Sequence, residues 1–179
     1  MKLSNFLKLY CMILSSLIIT NCGRNTSSEE PTLTPIITES QVKSYFPYGN
    51  GDRIVFFNDL IGDITYTVSE ATFNTNASNM EANVTMSGTN YLGEQLYFIT
   101  LKAEVANKRI LKIEFSQGIE EPQLTNATSK TGSYVYEASE SSELSQSITL
   151  SDGSIIKQEE GLVYFVDFDA EKWYFKKRL

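Results

Sequence analysis

Few residue types in this chain could carry out chemistry, and the missing ones already limit its function. The 179 residues contain no histidine, which excludes a Ser-His-Asp triad, a Cys-His dyad and an imidazole metal site. Asp167 and Asp169 would share one face of a continuous strand, and two carboxylates roughly 5–10 Å apart in a cleft could hydrolyse a glycoside. Because Asp169–Lys172 has the composition of a turn, a solvated hairpin is favoured there. We therefore predict no catalytic residue.

A metal site would have to use oxygen ligands of the kind that calcium prefers. Asp52, Asp59 and Asp63 lie close in the sequence, but they lack the alternating spacing of an EF-hand loop and are typical turn residues. The sequence has neither a Gly-Lys-Ser/Thr phosphate loop nor a Gly-x-Gly-x-x-Gly motif. The prediction is that the protein uses no metal and no cofactor.

Charge argues against a nucleic-acid partner. The chain has 15 Lys and Arg residues against 22 Asp and Glu, a formal net charge of −7, whereas phosphate contacts need a basic surface.

Aromatic residues are the one enriched class, at 12% of the chain. On strands they could form a stacking platform for a sugar or line an apolar cavity, although strands favour aromatic residues in a filled core as well. If a ligand cavity exists, we predict that its lining includes Tyr97, Tyr134, Tyr136, Tyr164 and Trp173.

The first 21 residues are typical of an export signal. Lys2 and Lys8 precede or adjoin Leu9–Thr20, an apolar stretch of 12 residues. As a helix this stretch would rise about 18 Å, which is too short for a hydrocarbon core of ~30 Å. The pattern therefore predicts a cleaved signal peptide and no stable transmembrane helix.

The end of that stretch, Ile19-Thr20-Asn21-Cys22-Gly23, resembles the lipobox of bacterial lipoproteins. The resemblance implies that the Cys22 thiol receives a diacylglycerol and becomes the new N-terminus. Because Gly23, and not Asp, follows the cysteine, the outer membrane is favoured over retention in the inner membrane. The alternative is an ordinary signal peptide cut elsewhere, with Cys22 as an incidental thiol.

These features divide the chain into three segments. Residues 1–21 form the signal peptide, residues 22–40 the lipidated cysteine and a tether, and residues 41–179 one all-β domain. The tether is rich in Ser, Thr, Pro and Glu without a sustained period, which is typical of a flexible linker.

The elements of the domain follow from local patterns. Thr38-Glu-Ser-Gln41 has the form of a capping box and predicts one or two helical turns that end before Pro47. Beyond it, apolar and polar residues alternate with the period of strands, as in Ile64–Val68 and Leu111–Phe115. We predict strands near 53–58, 62–73, 81–88, 94–106, 109–116, 132–138, 146–150, 154–159, 162–168 and 171–177.

Short strands joined mostly by tight turns predict an all-β fold, an antiparallel meander of about 8–10 strands. A lipocalin-like barrel is favoured over a β-sandwich, because strands as long as 62–73 and 94–106 can bend round a barrel and closure removes exposed edges. Two polar segments, Ser116–Thr131 and Glu137–Ser147, are predicted to be loops.

Several turn and core motifs together resemble small envelope lipoproteins of Bacteroidetes. They are Tyr45–Tyr48, the Gly-Asp turns at Gly51 and Gly62, and the closing segments Gly161–Phe165 and Trp173–Phe175. The resemblance implies a lipid-anchored outer-membrane protein and supplies no catalytic residue. We expect a non-catalytic protein that binds an apolar or carbohydrate ligand. The alternative is an accessory subunit of an outer-membrane complex, and a carboxylate-dependent hydrolase ranks third; periplasmic and surface exposure both remain open.

Overall fold

The computed structural model describes residues 37–89, 96–120, 128–139 and 143–179. The predicted signal peptide, Cys22 and most of the predicted tether lie outside the described residues. Within them the chain forms one short helix and ten strands. These are α1 (Glu39–Tyr45), β1 (Arg53–Asn58), β2 (Gly62–Thr75), β3 (Met80–Thr89), β4 (Leu96–Ala106), β5 (Ile110–Glu120), β6 (Thr128–Glu137), β7 (Ser147–Thr149), β8 (Ile155–Lys157), β9 (Gly161–Val166) and β10 (Lys172–Arg178). No helix in these ranges has the length and apolar character needed to cross a membrane.

Helix α1 begins at the predicted capping box. The Thr38 hydroxyl accepts a hydrogen bond from the backbone N–H of Gln41 at 3.3 Å, and the Gln41 side chain accepts one from the Thr38 N–H at 2.8 Å. These two bonds satisfy N–H groups that the first turn of a helix leaves unpaired. The helix ends at Tyr45, two residues before Pro47, so the predicted helix is confirmed.

The ten strands form one antiparallel sheet in the order β6-β5-β4-β3-β2-β1-β10-β9-β8-β7. The first strand pairs with the last, so the two halves of the meander join along β1 and β10. The sheet curves into a nearly closed barrel, which confirms the predicted all-β meander and the preference for a barrel over a sandwich.

The barrel closes at a seam between its edge strands, β6 and β7. There the N–H of Ser133 donates to the Ser151 hydroxyl at 3.1 Å, and the N–H of Ser151 donates to the Ser133 carbonyl at 3.1 Å. Across the same opening, the side chains of Gln117 on β5 and Lys130 on β6 both donate to the Val166 carbonyl on β9, at 2.6 Å and 2.9 Å. These hydrogen bonds close the gap between the edges of the sheet. Without them, the edge strands would be open to pairing with another strand.

A β-bulge lets the 14-residue strand β2 bend round the barrel. The register against β3 shifts between Val68 and Glu70. Ile64 and Val68 are buried before the shift, whereas Ala71 and Phe73 pack against the core after it. Because of this extra residue, side chains at even positions face the barrel interior before the bulge and side chains at odd positions face it afterwards. The strand also bends at this point.

Aromatic side chains fill the centre of the barrel. The Phe56 ring lies 5.0 Å from that of Phe165 and 5.7 Å from that of Tyr66, centroid to centroid, with the rings nearly perpendicular in both pairs. Phe165 also stacks on Trp173 at 6.3 Å and meets Phe115 at 6.0 Å. All five side chains are buried, and edge-to-face pairs of this kind add about 0.5–1.5 kcal/mol each to the burial of their area.

The prediction of a loop over Ser116–Thr131 is wrong for both of its ends. The β5–β6 ladder continues through Gln117 opposite Lys130 and reaches Ile119 opposite Thr128. The inward side chains here are polar and bond to the Val166 carbonyl, so the alternation that marks a strand is hidden in the sequence. In the second predicted loop, residues 138–139 and 143–146 lie between β6 and β7 outside regular structure.

The chain before β1 is held to β9 by a buried tyrosine. The Tyr48 hydroxyl accepts a hydrogen bond from the Leu162 N–H at 2.6 Å, and burial raises the pKa of Tyr48 to about 12. Gly161 adopts a φ of +82°, and a Cβ at this position would overlap the Tyr48 hydroxyl and ring. Both the backbone conformation and the close approach therefore require glycine.

Alanine substitutions of Gly161 and Gly153 separate the cost of a positive φ from the cost of the close contact with Tyr48. Gly153 has a similar φ of +88° but no atom within 4 Å of an added Cβ. We expect Gly153→Ala to lower the free energy of unfolding by about 1 kcal/mol through backbone strain. Gly161→Ala should lower it by about 2 kcal/mol more, because Tyr48 must shift. Urea unfolding measures both; equal losses would contradict the role given to Tyr48.

Candidate functional site

The structure does not bring the five predicted aromatic residues together. Tyr134 and Tyr136 stack on β6 with centroids 6.5 Å apart, and Tyr97 on β4 packs against the core without being fully buried. Trp173 belongs to the aromatic centre, with 3% of its surface exposed. Tyr164 lies on the outer surface of β9, where its ring meets that of Tyr174 on β10 at 5.2 Å.

The carboxylate of Asp167 organises the turn between β9 and β10. One oxygen accepts hydrogen bonds from the N–H groups of Asp169 and Glu171 at 3.0 Å and 2.9 Å, and the other accepts the indole N–H of Trp173 at 2.8 Å. Asp167 is buried, whereas Asp169 is exposed at the turn. The two carboxyl groups therefore have different surroundings, and the hairpin interpretation accounts for both.

The aspartates considered for calcium are dispersed. Asp52 accepts a hydrogen bond from the Gly49 N–H at 2.8 Å, and Asp63 pairs with Lys176 at 2.8 Å. Asp59 lies in the turn after β1. In the ranges that the structure describes, no three Cys, Asp or Glu side chains come together as metal ligands would.

Helix α1 crosses one end of the barrel and is tied to three connections there. The N–H of Ile37 donates to the Lys108 carbonyl at 3.1 Å, in the turn between β4 and β5. The N–H of Glu159, in the turn between β8 and β9, donates to the Ser44 carbonyl at 2.6 Å. The Tyr45 hydroxyl donates to the Ser145 carbonyl before β7. The helix thus partly covers this mouth of the barrel.

A cleft of about 290 Å³ remains between α1 and the inner face of β2 and β3. We call it the mouth cleft. Its lining consists of Lys43, Phe46, Pro47, Tyr48, Ala71, Thr72, Phe73, Ala82 and Val84.

The mouth cleft is apolar with one cation at its rim. Phe46 and Phe73 contribute rings, and the short side chains of Ala71 and Ala82 leave the space between them. The ammonium of Lys43 lies 4.7 Å from the centroid of the Phe73 ring and 2.6 Å from a carboxylate oxygen of Glu39. A mostly apolar lining with a few polar groups, here Lys43, Thr72 and Tyr48, is the usual chemistry of a small-molecule site, and the mouth of a β-barrel is a usual place for one.

A second cleft, of about 360 Å³, is more polar. It is lined by Asn74, Thr75, Asn76, Asn79, Met80, Glu81, Glu104, Val105 and Ala106. Lys102 lies 2.5 Å from a Glu104 oxygen and 3.7 Å from a Glu81 oxygen. The hydrogen bond and charge of Lys102 lower the pKa of Glu104, which is the opposite of what a general acid requires. None of the described residues in its lining is aromatic, so these residues offer a sugar no stacking surface.

Sequence patterns could not reveal the mouth cleft, because it forms only where α1 docks on strands that lie farther along the chain. The signal that was present is the pair of alanines at inward positions of adjacent strands: Ala82 pairs with Phe73, and Ala71 with Val84. Small residues facing a barrel interior mark either close packing or space.

Comparisons with models of known protein families, with curated proteins and with solved structures found no match for this chain.

Replacing each aspartate of the β9–β10 turn by asparagine tests the structural role of Asp167. In Asp167→Asn an amide N–H must face either the Trp173 indole N–H or the backbone N–H groups, so we expect a loss of about 1–3 kcal/mol in the free energy of unfolding. Asp169→Asn is the matched control and should change it by less than about 0.5 kcal/mol. Urea unfolding followed by Trp173 fluorescence measures both; equal stability of the two variants would contradict this role.

Proposed function

We propose that this chain is a lipid-anchored protein of a bacterial outer membrane that binds a small apolar molecule and does not transform it. The observation that carries the proposal is the mouth cleft. Its volume of about 290 Å³ lies near the lower limit of ligand sites, roughly 300 Å³, and suits a compact molecule.

The chemistry of the lining narrows the ligand class. Ring faces from Phe46 and Phe73 favour an aromatic or aliphatic body. Lys43 at the rim favours a ligand whose polar end carries an acceptor or a negative charge, which would compete with Glu39 for the ammonium. Because the aromatic centre fills the middle of the barrel, the ligand would lie under α1 and would not pass through the barrel.

The anchor belongs to the same proposal. Ile37, 1% exposed, is already part of the core, and it lies at the mouth covered by α1. Fourteen residues separate Cys22 from Ile37 in the sequence. With Cys22 acylated, the lipid would therefore be connected to the barrel at the end that holds the mouth cleft.

Filling the cleft tests ligand binding with a defined probe, anilinonaphthalene sulfonate, an aromatic anion whose fluorescence rises in apolar surroundings. We expect saturable binding to the parent protein and at least a tenfold weaker affinity for Ala71→Leu, because the larger side chain occupies the cleft. Ala77→Leu, at an exposed position of the β2–β3 turn, is the matched control and should bind as the parent does. Equal affinities of all three proteins would contradict the proposed site.

Mass spectrometry tests the proposed lipid anchor. Native and denaturing mass spectra of the protein purified from its own envelope in mild detergent should show a chain that begins at Cys22 with covalent acyl groups. A small passenger that leaves on denaturation would identify the ligand class directly. An N-terminus other than residue 22, or an unmodified Cys22, would refute the anchor and leave the cleft to be judged by the probe.

A further inference from the structure

Basic residues are concentrated on the two strands that join the halves of the barrel. Strands β1 and β10 together carry five Lys and Arg residues and no Asp or Glu, in a chain of net charge −7. Arg178 turns toward the Pro47 carbonyl and the Tyr48 ring. The remaining cations are exposed on the outer surface of these strands: Arg53, Lys172, Lys176 and Lys177.

Among the described residues, a carboxylate pairs with one of these four exposed cations. Lys176 pairs with Asp63 at 2.8 Å, whereas Arg53, Lys172 and Lys177 form no ion pair with any other described residue. The outer face of β4 and β5 is built differently, because Lys102 and Lys112 there each lie within 2.6 Å of a glutamate.

Aromatic rings lie among these cations. Tyr174 is 45% exposed and meets Tyr164, and Lys176 stands 5.5 Å from the centroid of the Phe57 ring. Tyrosine is a residue of membrane–water interfaces, where its ring lies at headgroup level and its hydroxyl stays in water.

The turn between β1 and β2 adds an apolar tip to the same surface. Leu60 is 82% exposed and Ile61 43%, at a position where turns usually carry Gly, Asn, Asp or Ser. Leu60, Lys172 and Tyr174 line one shallow depression together with Asp59 and Glu171. The tip therefore adjoins a cation and an aromatic ring, and two carboxylates lie in the same depression, one of them accepting a hydrogen bond from Asn58.

The tip is held rigidly. The side-chain oxygen of Asn58 accepts the N–H groups of Leu60 and Ile61 at 2.7 Å and 2.8 Å, and its nitrogen donates to Glu171 and to the Lys172 carbonyl at 3.1 Å each. Asn58 is 3% exposed, so these bonds are shielded from water. A protruding apolar group that is already ordered loses little entropy when it binds.

We infer that the outer face of β1 and β10, with the tip at Leu60 and Ile61, docks on a bilayer surface that carries anionic headgroups. Spread cations and a protruding leucine fit a lipid surface, which is negative and takes up apolar side chains without a matching shape. The inference rests on the membrane location in the proposed function but not on the mouth cleft. A partner protein with an acidic surface is the rival occupant.

A fluorescent label on the tip tests the inference in the full chain. Leu60→Cys, labelled with an environment-sensitive dye, should show a blue shift and brighter emission with vesicles that contain phosphatidylglycerol. It should show little change with phosphatidylcholine alone, and added salt should reverse the response. Val135→Cys, 65% exposed on β6, is the matched control and should not respond. The parent chain, treated with the same dye, corrects for labelling at other positions.

Charge variants complete the test. Removing a lysine near an anionic surface weakens binding about fivefold, so Lys172→Gln combined with Lys177→Gln should weaken vesicle binding roughly 25-fold. Lys112→Gln is the matched control and should not change it. An equal response of the Leu60 and Val135 labels, or equal binding to both vesicle types, would overturn the inference and favour the protein partner. The mass of Cys22 reports acylation separately, so a missing anchor and a missing docking face give different results.

Discussion

The pairing of β1 with β10 is the constraint on which the rest of the structure depends. It joins strands from opposite ends of the domain, so it must offset the entropy of closing a loop of more than a hundred residues. Phe56 of β1 and Trp173 of β10 contribute to the aromatic centre from either side of this junction, together with Phe165 of β9. Burial of these rings stabilises the β1–β10 junction. Without it, the strands on either side of the junction would form two separate open sheets.

Closure of the barrel also decides where a ligand can bind. The aromatic centre leaves the middle of the barrel filled, so space is found at the mouth, where α1 stands across strands β2 and β3. The bulge of β2 contributes to this arrangement, because it turns Ala71 and Phe73 inward next to the helix. A short helix that is fixed by its capping box and by bonds to three turns therefore shapes the cleft as much as the barrel does.

The surface of the barrel is divided by charge, and this division would complement the proposed lipid anchor. Opposite charges alternate along β4 and β5 and largely cancel, whereas β1 and β10 carry cations that mostly lack acidic partners. A net negative protein would be repelled from an anionic bilayer in most orientations. In the proposed docking, the basic face with its apolar tip would make one orientation favourable, and an acyl chain would keep the protein close enough to adopt it.

The sequence alone determined the elements whose causes are local. The capping box at Thr38 set the start of α1, and period-two alternation with turn residues set most of the ten strands and their antiparallel order. The sequence did not reveal the end of the β5–β6 hairpin nearest its turn, because the inward residues there, Gln117 and Lys130, are polar. Their hydrogen-bond partner is a carbonyl on β9, which is distant in the sequence. Tertiary structure alone decided which aromatic rings fill the centre, which ring lies outside with Tyr174, and where a cleft remains. Those outcomes depend on how far the sheet curves and on where α1 docks, and contacts between distant residues set both.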